Sequence, residues 1–351
     1  MTVAVFGASG YGGQVLLRLL LDHPDVDRVL PVSSSAAGGP FDERIGGLGP
    51  DLGGRLPDDR RFLGRSDAEA ARPDAVFSAL PHGASADFCE PFFGRSVVFD
   101  LSADFRLRDA AAHQAAYGQP PPHPDVRPTA VYGLAEIHSD AVGTADIIAV
   151  PGCYPTCVLL PLIPLAAAGL ITAPVTVNAL TGISGAGRTA RESSLYVERS
   201  ENVVAYNPGR RHRHTAEMTQ ELAAAGSASP LFFTPHLVPM RRGMEATITM
   251  PVPSGRAADL GDRIGEILVR AYADQPFIGL RGGSIPSSRD VVGSNRCDIG
   301  WTVEQDGETA MLYLFSVIDN LVKGAAGQAV QDFNIRFGFA LTAGLPVRAI
   351  A

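Results

Sequence analysis

Short apolar runs alternate with turns and helical stripes in the first part of the chain. Residues 2–6 form a β-branched and apolar run, residues 15–21 carry an apolar stripe at helical spacing, and residues 26–32 form a second apolar run. A strand, a glycine turn, a helix and a second strand make a βαβ unit. The same alternation continues through three further apolar runs, at 75–80, 96–100 and 146–150. We therefore expect a doubly wound parallel sheet.

The pattern changes after about residue 170. Longer intervals separate the apolar runs at 175–180, 231–234, 246–250 and 311–317, which is typical of an α+β domain with a mainly antiparallel sheet. From Asp319 onward the pattern is helical again. A chain of 351 residues accommodates about two domains. We expect a first domain at 1–150, a second at 151–319, and a C-terminal helix at about 320–351 that completes the first.

Composition narrows the class of protein. Lysine and arginine total 29 against 37 acidic residues, and the net charge of −8 argues against a nucleic-acid partner. Four cysteines in a chain of this length do not make a disulfide framework, so we expect a reducing, cytoplasmic location. The N-terminus has the pattern of a strand rather than of a signal peptide, and no membrane span is expected. Lys323 is the only lysine, which makes Schiff-base chemistry a poor hypothesis.

A glycine turn follows the first strand. Gly7, Gly10 and Gly13 permit a tight turn into a helix whose N-terminus attracts a pyrophosphate, although such turns are also common without a ligand. The second strand ends in Ser33, Ser34 and Ser35, where an NAD enzyme usually carries a carboxylate. The segment favours NADP, and because it holds no arginine, hydroxyls and amides would bind the 2′-phosphate. The candidate turn residues are Gly7, Ser9, Gly10, Tyr11, Gly12 and Gly13.

Cys153 lies where an apolar strand ends and an apolar helix begins. A helix N-terminus lowers the pKa of a thiol and favours the nucleophilic thiolate. The alternative is a buried cysteine that packs as a small apolar side chain, and the residues alone leave both open. Cys157 lies one helical turn later and we assign it to the core, since no other cysteine or histidine nearby in sequence suggests a metal site.

Residues 210–217 form the densest cationic run of this acidic chain, RRHRHTAE. Two imidazoles and several guanidinium groups can bind an anionic substrate and supply a base near neutral pH, and a solvated loop is the alternative. Glu217 follows His214 by three residues, close enough on a helix to orient its ring. Arg188 ends a second glycine-rich turn and suits a carboxylate. Together these features suggest acyl chemistry coupled to hydride transfer.

Motifs along nearly the whole chain resemble the N-acetyl-γ-glutamyl-phosphate reductase family of the semialdehyde dehydrogenase superfamily. The cysteine and HRH motifs, in this order, are the most specific. The matching segments are GASGYGG at 7–13, ALPHG at 79–83, DLSADFRL at 100–107, VYGLAE at 131–136, PGCYPT at 151–156, SGAGR at 184–188, HRHTAE at 212–217, FTPHLVP at 233–239 and DNLVKGAAGQA at 319–329.

The resemblance implies a Rossmann-type NADP-binding domain and a catalytic and oligomerisation domain, in a homo-oligomer that is a dimer or tetramer. It implies a thiolate at Cys153 and a general acid/base at His214, without a metal. It places Lys323 in a helix motif that faces the cofactor. Nicotinamide-side contacts are implied for Pro81, His82 and Asn320. Substrate contacts are implied for Ser184, Arg188, Tyr206, His212 and Arg242.

The sequence departs from the family pattern at a few positions, and none of the departures removes a catalytic group. Those at 216 and 241 border the substrate side and bear on which acyl phosphate is used. The departures are Gly12 for threonine, Cys157 and Pro161 for small residues, Ala216 for proline, and Arg241 as an added charge beside Arg242.

The expected reaction is the NADPH-dependent reduction of N-acetyl-γ-glutamyl phosphate to the semialdehyde in arginine biosynthesis, with release of phosphate, through a thioester on Cys153. An alternative substrate is α-aminoadipyl phosphate, free or attached to a small carrier protein. A rival of another class is a dinucleotide-binding regulator without catalytic activity. Retention of Cys153, His214 and Glu217 together argues against the regulator.

Overall fold

The computed structural model of the protein describes residues 1–48 and 53–350. The chain divides into two compact units. The first contains Met1–Gln114, Gln119–Pro151 and Ala325–Leu345; the second contains Ala115–Gly118, Gly152–Gly324 and the residues from Pro346 onward. Within the described residues, no helix is both long enough and apolar enough to span a membrane.

The first unit is built on a six-stranded parallel sheet of order β2-β1-β3-β4-β6-β5. Its strands are β1 (Thr2–Phe6), β2 (Arg28–Val32), β3 (Ala75–Ser78), β4 (Val97–Asp100), β5 (Val131–Tyr132) and β6 (Ile147–Ala149). The helices of this part of the chain are α1 (Tyr11–Leu21), α2 (Arg65–Ala71), α3 (Ser85–Cys89), α4 (Ala110–Tyr117) and α5 (Ala135–Val142).

The central strands of this sheet are buried on both faces. Every residue of β3 and β4 is buried, as is every residue of β1 after Thr2. Strands of this kind are near-continuous apolar runs because helices cover both sides of a parallel sheet. The chain order of the strands reverses between β1 and β3, and the loops after those two strands border the crevice in which such sheets bind their ligands.

The second unit contains a seven-stranded mixed sheet of order β11-β12-β13-β10-β7-β9-β8. Four of its strand pairs are antiparallel and two are parallel. The strands are β7 (Val175–Gly182), β8 (Val204–Ala205), β9 (Leu231–Val238), β10 (Met244–Pro253), β11 (Ile278–Gly282), β12 (Cys297–Asp306) and β13 (Thr309–Ile318). Its helices are α6 (Cys153–Ala167), α7 (Tyr196–Arg199), α8 (His214–Ala224) and α9 (Ala257–Tyr272).

Alternate residues of this sheet have different surroundings. Val177, Ile248 and Leu314 are buried on the face that packs against α6 and α9. The neighbouring positions point the other way, because side chains alternate along a strand. One row of them runs in register across four strands, and we call this side of the sheet the open face; the row consists of Thr176, Thr249, Tyr313 and Thr302.

Helix α6 is almost entirely buried and contains two prolines in its interior, Pro161 and Pro164, besides Pro155 in its first turn. Pro164 has no N–H, so the carbonyl oxygen of Leu160 lacks its usual partner four residues on. The hydroxyl of Tyr272, at the end of α9, donates to that oxygen at 2.5 Å. A side chain from a neighbouring helix thus satisfies the polar group that the proline leaves open.

The C-terminal part of the chain begins in a π-helical turn at Val322–Ala326 and continues as α10 (Gly327–Phe337). Phe333 of α10 packs against Phe77 and Phe99 inside the first unit, with ring centroids 5.5 and 5.9 Å away. From Pro346 the chain belongs to the second unit, where the Pro346 carbonyl accepts a bond from the amide of Asn295 at 2.8 Å. The helix expected at about 320–351 therefore ends well before the terminus, and Ala351 lies outside the described residues.

The predicted fold class, a doubly wound parallel sheet with a second α+β domain, is confirmed. Three strands of the second sheet, β8, β11 and β12, were not predicted, and β8 has only two residues. Strand β11 contains two glycines in five residues, and the second half of β12 is polar and half-exposed. Neither β11 nor β12 has the apolar alternation from which a strand is predicted. The pairing of β12 with β13, and of β11 with β12, decides the structure instead.

Candidate active site

Cys153 is the first residue of α6, and Gly152 caps the helix. The Gly152 carbonyl accepts bonds from the amide and the hydroxyl of Thr156, at 3.0 and 3.1 Å. The thiol is half-buried at the positive end of a helix dipole, where a thiolate is stabilised. The local geometry suits a nucleophile better than a core cysteine.

Glu217 connects this turn to α8, the helix that begins at His214. The side chain of Glu217 is fully buried, and its Oε1 accepts a hydrogen bond from the amide of Gly152 at 2.8 Å. Glu217 therefore fixes the distance between the cysteine turn and the first turn of α8. Its expected role in orienting the ring of His214 stays a prediction.

Aromatic rings surround the two histidines. Tyr154 packs edge-on against His212 and His214, with ring centroids 5.5 and 6.0 Å away, and the two imidazoles lie 4.8 Å apart. The hydroxyls of Tyr154 and Tyr206 lie 3.0 Å apart, within hydrogen-bond distance. Burial raises the pKa of Tyr206 to about 12, and the nearby Cys153 thiolate contributes to the rise. Tyr206 thus remains a neutral hydroxyl beside the thiol.

His212 is a neutral imidazole near neutral pH. It is buried, and burial, followed by the charge of Arg213, lowers its pKa to about 4. Its Nδ1 accepts the amide hydrogen of His214 at 3.2 Å, so the proton of the neutral ring is on Nε2. His212 can bind an anionic substrate only as a neutral hydrogen-bond donor.

Arg242 is held by a buried carboxylate. Its Nη2 lies 3.2 Å from Oδ1 of Asp319, which is fully buried. Its buried Nε has no hydrogen-bond partner among the described residues. Gly182 makes room for this arrangement, because a Cβ there would lie 2.8 Å from the amide nitrogen of Arg242. Arg242 is therefore a guanidinium group that Asp319 orients and that keeps part of its side chain exposed.

Ser184 and Asn320 lie in the same unit as Arg242. The Asn320 amide nitrogen donates to the Ser184 hydroxyl at 3.0 Å, and its oxygen accepts the amide hydrogen of Gly243 at 2.9 Å. Both ends of the Asn320 side chain are thereby oriented. Arg188 is exposed and follows Gly187, whose φ is +83°, at the end of the same glycine-rich turn.

Gly324 is a site residue that we did not identify from the sequence. A Cβ at this position would lie 2.8 Å from the Cβ of Cys153, so only glycine fits against the nucleophile. The π-helical turn brings it there and also buries Lys323, whose Nζ lies 5.9 Å from the centroid of the Phe277 ring. The glycine of the VKGAAG motif was the available signal in the sequence.

The glycine turn of the first unit has the predicted strand-to-helix form. Gly7 has a φ of +72°, and a Cβ there would lie 2.7 Å from the Ala79 carbonyl oxygen. A Cβ on Gly13 would lie 2.3 Å from the Gly7 carbonyl oxygen, whereas one on Gly12 would meet only the Ala79 side chain, at 3.9 Å. Gly10 caps α1, so amide groups of the first helical turn are available to a phosphate. Ser9 and Tyr11 flank this cap.

Arg61 is a cation on the segment that pairs with residues 32–40, which include the serine segment. Ser33 is buried, and its amide donates to the Leu63 carbonyl at 3.1 Å, while Ser34 and Ser35 are exposed. Arg61 lies two residues before Leu63, and its guanidinium group donates to the Gly38 carbonyl. Sequence reasoning missed this residue because the pairing of residues 61–63 with residues 32–40 is a long-range contact.

Pro81 and His82 are exposed on the loop that follows β3. Gly83 comes next with a φ of +79°, and its amide donates to Oδ1 of Asp104 at 2.6 Å. The loop leaves the sheet beside the glycine turn, as the contact between Gly7 and Ala79 shows. Both predicted residues therefore border the crevice of the parallel sheet.

Comparison with known proteins agrees with this geometry. The family model described as "Semialdehyde dehydrogenase, NAD binding domain" matches residues 2–145, and "Semialdehyde dehydrogenase, dimerisation domain" matches residues 153–320. The chain belongs to the semialdehyde dehydrogenase family. Its first unit is thus the dinucleotide-binding part of a family enzyme, and its second unit carries the candidate catalytic residues.

Relatives within the family are named N-acetyl-γ-glutamyl-phosphate reductase. The protein from Akkermansia muciniphila is 44% identical over 98% of this chain and 98% of its own length. The protein from Geobacter sulfurreducens is 42% identical over 100% of this chain and 99% of its own. The resemblance found in the sequence motifs is confirmed.

Solved structures share the two-domain fold at low sequence identity. Aspartate semialdehyde dehydrogenase II from Vibrio cholerae has a TM-score of 0.71 at 18% identity, covering 96% of this chain and 98% of that chain. The enzyme from Candida albicans, solved with NADP, has a TM-score of 0.62 at 17% identity, covering 95% and 98%. At these identities the likeness shows the fold.

Proposed function

We propose that the protein reduces N-acetyl-γ-glutamyl phosphate to N-acetylglutamate semialdehyde with NADPH and releases phosphate, as a step of arginine biosynthesis. The observation that carries the proposal is the position of Cys153 at the start of α6, in a turn that Glu217 fixes to the helix of His214. A regulator without activity would not need these residues held together. The names of the relatives in the family support the choice of substrate.

In the first step the Cys153 thiolate attacks the acyl carbon. A carbon–sulfur bond forms, the carbon–oxygen bond to phosphate breaks, and phosphate leaves with its electron pair. The product is a thioester, which is a better hydride acceptor than a carboxylate. The helix N-terminus stabilises the thiolate before attack and again when it leaves.

The glycine turn fits a dinucleotide, because side chains at Gly7 or Gly13 would fill the space against the backbone. When bound, the reduced dinucleotide supplies hydride to the acyl carbon. His214 then protonates the oxyanion or the departing sulfur, and the semialdehyde is released as the carbon–sulfur bond breaks. Residues 1–150 with α10 form the proposed cofactor domain, and 151–319 the catalytic domain.

The anionic ends of the substrate have several proposed partners. The partly exposed guanidinium group of Arg242 suits a carboxylate, since Asp319 already orients it. Tyr206 and His212 offer neutral hydrogen bonds beside the thiol. Arg188 and Ser184 extend this set along the glycine-rich turn.

The test is the reverse reaction, in which the N-acetylated semialdehyde reduces NADP only when phosphate is present.

His214→Asn should lower kcat by about 10²–10⁴-fold, because proton transfer matters in the transition state. Arg188→Leu should chiefly raise the KM of the acyl substrate and leave that of NADP unchanged. A purified, folded wild-type protein without phosphate-dependent turnover would overturn the proposal.

We propose that NADP is preferred to NAD because the serine segment Ser33–Ser35 contains no carboxylate and Arg61 offers a cation to the 2′-phosphate. Ser34→Asp should reduce or reverse the preference, because the added carboxylate repels the 2′-phosphate.

Arg61→Ala should weaken the affinity for NADP about tenfold and leave the affinity for NAD unchanged, since a charged hydrogen bond is lost. Arg60→Ala is the matched control, because that side chain pairs with Asp42 at 2.5 Å. Equal dissociation constants for both cofactors in the wild type would contradict this preference.

We also propose a homo-oligomer, a dimer or tetramer, that forms through the open face in the domain matched by the dimerisation model. A cytoplasmic location is proposed as well, since all four cysteines are free thiols, as is usual in a reducing compartment.

A further inference from the structure

Two buried carboxylates of the first unit have no part in the steps above. Asp100 is the last residue of β4, and Asp104 follows it in the DLSAD motif. Their exposed fractions are 0% and 1%, so neither is solvated. Buried carboxylates are costly unless hydrogen bonds compensate, and their partners indicate what they are for.

Asp104 holds the loop after β3 at two points. Its Oδ1 accepts the amide hydrogen of Gly83 at 2.6 Å, and its Oδ2 accepts that of Ala86 at 3.0 Å. The first of these amides directly follows Pro81 and His82.

A serine network orients Asp104 in turn. The amide of Asp104 donates to the Ser102 hydroxyl at 3.1 Å, and that hydroxyl donates to Oδ2 of Asp100 at 2.7 Å. Oδ1 of Asp100 accepts the Ser85 hydroxyl at 2.6 Å, and Ser85 shares a hydrogen bond of 2.7 Å with Ser78. A fully bonded buried network of this kind makes its members rigid.

Burying the carboxylates of Asp100 and Asp104 costs free energy, so the two residues are poor stabilisers of the fold. Burial, and then the charge of Asp104, raise the pKa of Asp100 to about 6. Apolar residues at such positions are often as stabilising or more so, which makes stability alone a weak reason for this arrangement. The position that the two carboxylates give to the loop after β3 is a better explanation of why they are there.

The loop that the network fixes lies beside the dinucleotide crevice. Gly7 of the glycine turn touches Ala79, at the start of the loop, and the crevice lies between the ends of β1 and β3. We propose that Asp104 is a positioning residue that holds residues 81–83 against the nicotinamide half of the bound dinucleotide. The inference rests on the proposed function, since it requires that the crevice binds NADP.

The experiment measures the affinity of two ligands for the full-length protein by titration calorimetry. NADP has a nicotinamide half, whereas 2′,5′-ADP lacks it. Asp104→Asn leaves one acceptor oxygen and turns an NH₂ group toward the other amide, so the loop must shift. Asp109→Asn is the matched control, because Asp109 also accepts two backbone amide hydrogens, from Ala111 and Ala112, but at the exposed start of α4.

Asp104→Asn should raise the dissociation constant of NADP about tenfold or more and change that of 2′,5′-ADP less than twofold. Asp109→Asn should leave both unchanged. An unchanged NADP affinity in Asp104→Asn, or an equal loss for both ligands, would overturn the inference, since a merely structural role affects both. A wild-type protein that binds neither ligand overturns the proposed function as well.

Ser102→Ala covers the case in which Asp104→Asn does not fold. It keeps the carboxylate of Asp104 and removes the hydroxyl that orients it. We expect the same split between the two ligands at a smaller size, about threefold for NADP. If Asp104→Asn does not fold and Ser102→Ala shows no split, the inference is wrong.

Discussion

The surroundings of Cys153 and Cys157 show how one helical turn separates two chemistries. Cys153 is half-buried at the N-terminus of α6, whereas Cys157 is fully buried one turn later. The Cys157 thiol donates to the Ser316 carbonyl at 3.3 Å, and burial raises its pKa well above the usual value. One thiol is available as a nucleophile, and the other is a packed side chain.

Cys153→Ser should therefore abolish nearly all turnover and leave NADP binding intact, while Cys157→Ala should leave most of the turnover. Iodoacetamide at neutral pH should label Cys153 first, because thiolate fraction and access set the rate. Peptide mass spectrometry over time measures the order. Labelling of Cys157 before Cys153 would contradict the assignment of the nucleophile.

His212 predicts a pH dependence of stability. Its pKa is about 4 in the folded protein and near 6.5 unfolded, so the unfolded state binds more protons between these values. The stability is fully present above the unfolded pKa and is lost as pH falls toward the folded one. From pH 7 to pH 5 this residue should lower the free energy of unfolding by about 2 kcal/mol.

Urea unfolding of the wild type and of His212→Gln at both pH values tests this prediction. The variant lacks the titrating ring, so it should lose less stability on acidification by about that amount. Comparison within the pair cancels the opposite effect of Asp100, whose raised pKa favours the folded state as pH falls below 6. If acidification lowered the free energy of unfolding equally in both proteins, His212 would not be a buried neutral imidazole.

The sequence indicated the nucleophile and the histidines, but not what holds them. The bond between Gly152 and Glu217 joins residues 65 positions apart, and that between Gly83 and Asp104 joins residues 21 apart. Spacing in the sequence reveals neighbours within one helix, as with His214 and Glu217, and is silent about contacts between elements. The alternative role of Glu217, as an anchor of the cysteine turn, appeared only in three dimensions.

Among the secondary-structure elements, the glycine turn between β1 and α1 is the best predicted. The glycines of this turn differ, however, in whether the surrounding structure requires glycine. Gly13 is required by contact with the Gly7 backbone, whereas Gly12 has space around it and an ordinary helical position. The pattern GYGG alone does not separate these two.

Gly12→Ala should raise the free energy of unfolding by up to about 1 kcal/mol, because alanine loses less backbone entropy in a helix. Gly13→Ala should lower it, since its Cβ would collide with the Gly7 carbonyl oxygen. Urea denaturation of the two variants measures both changes. A loss of stability in Gly12→Ala would contradict the open space at that position.

Over the whole molecule, the fold class followed from alternating apolar runs, whereas the function of the second sheet's open face did not. Its row Thr176, Thr249 and Tyr313 mixes hydroxyl groups with one aromatic ring. Such a row does not differ in sequence from a solvated sheet face. The opposite face, which packs against α6 and α9, was predictable because its row Val177, Ile248 and Leu314 is uniformly apolar.

Thr249→Arg should lower the molecular mass measured by light scattering to that of a single chain, or shift the dissociation to higher concentration. A charge at the centre of the open face would be buried without a partner in the oligomer. Val269→Arg, on an exposed position of α9, is the matched control and should leave the mass unchanged. A wild-type protein that is a single chain at all concentrations would contradict the proposed assembly.

The burial of Lys323 has a practical consequence for anyone who handles this enzyme. Because it is the chain's only lysine and its exposed fraction is 0%, the folded protein presents no ε-amine to solvent. Succinimidyl esters of dyes or biotin should therefore leave Lys323 unmodified while the chain is folded and modify it once urea unfolds the chain, so that label on this one residue, read by peptide mass spectrometry, reports unfolding.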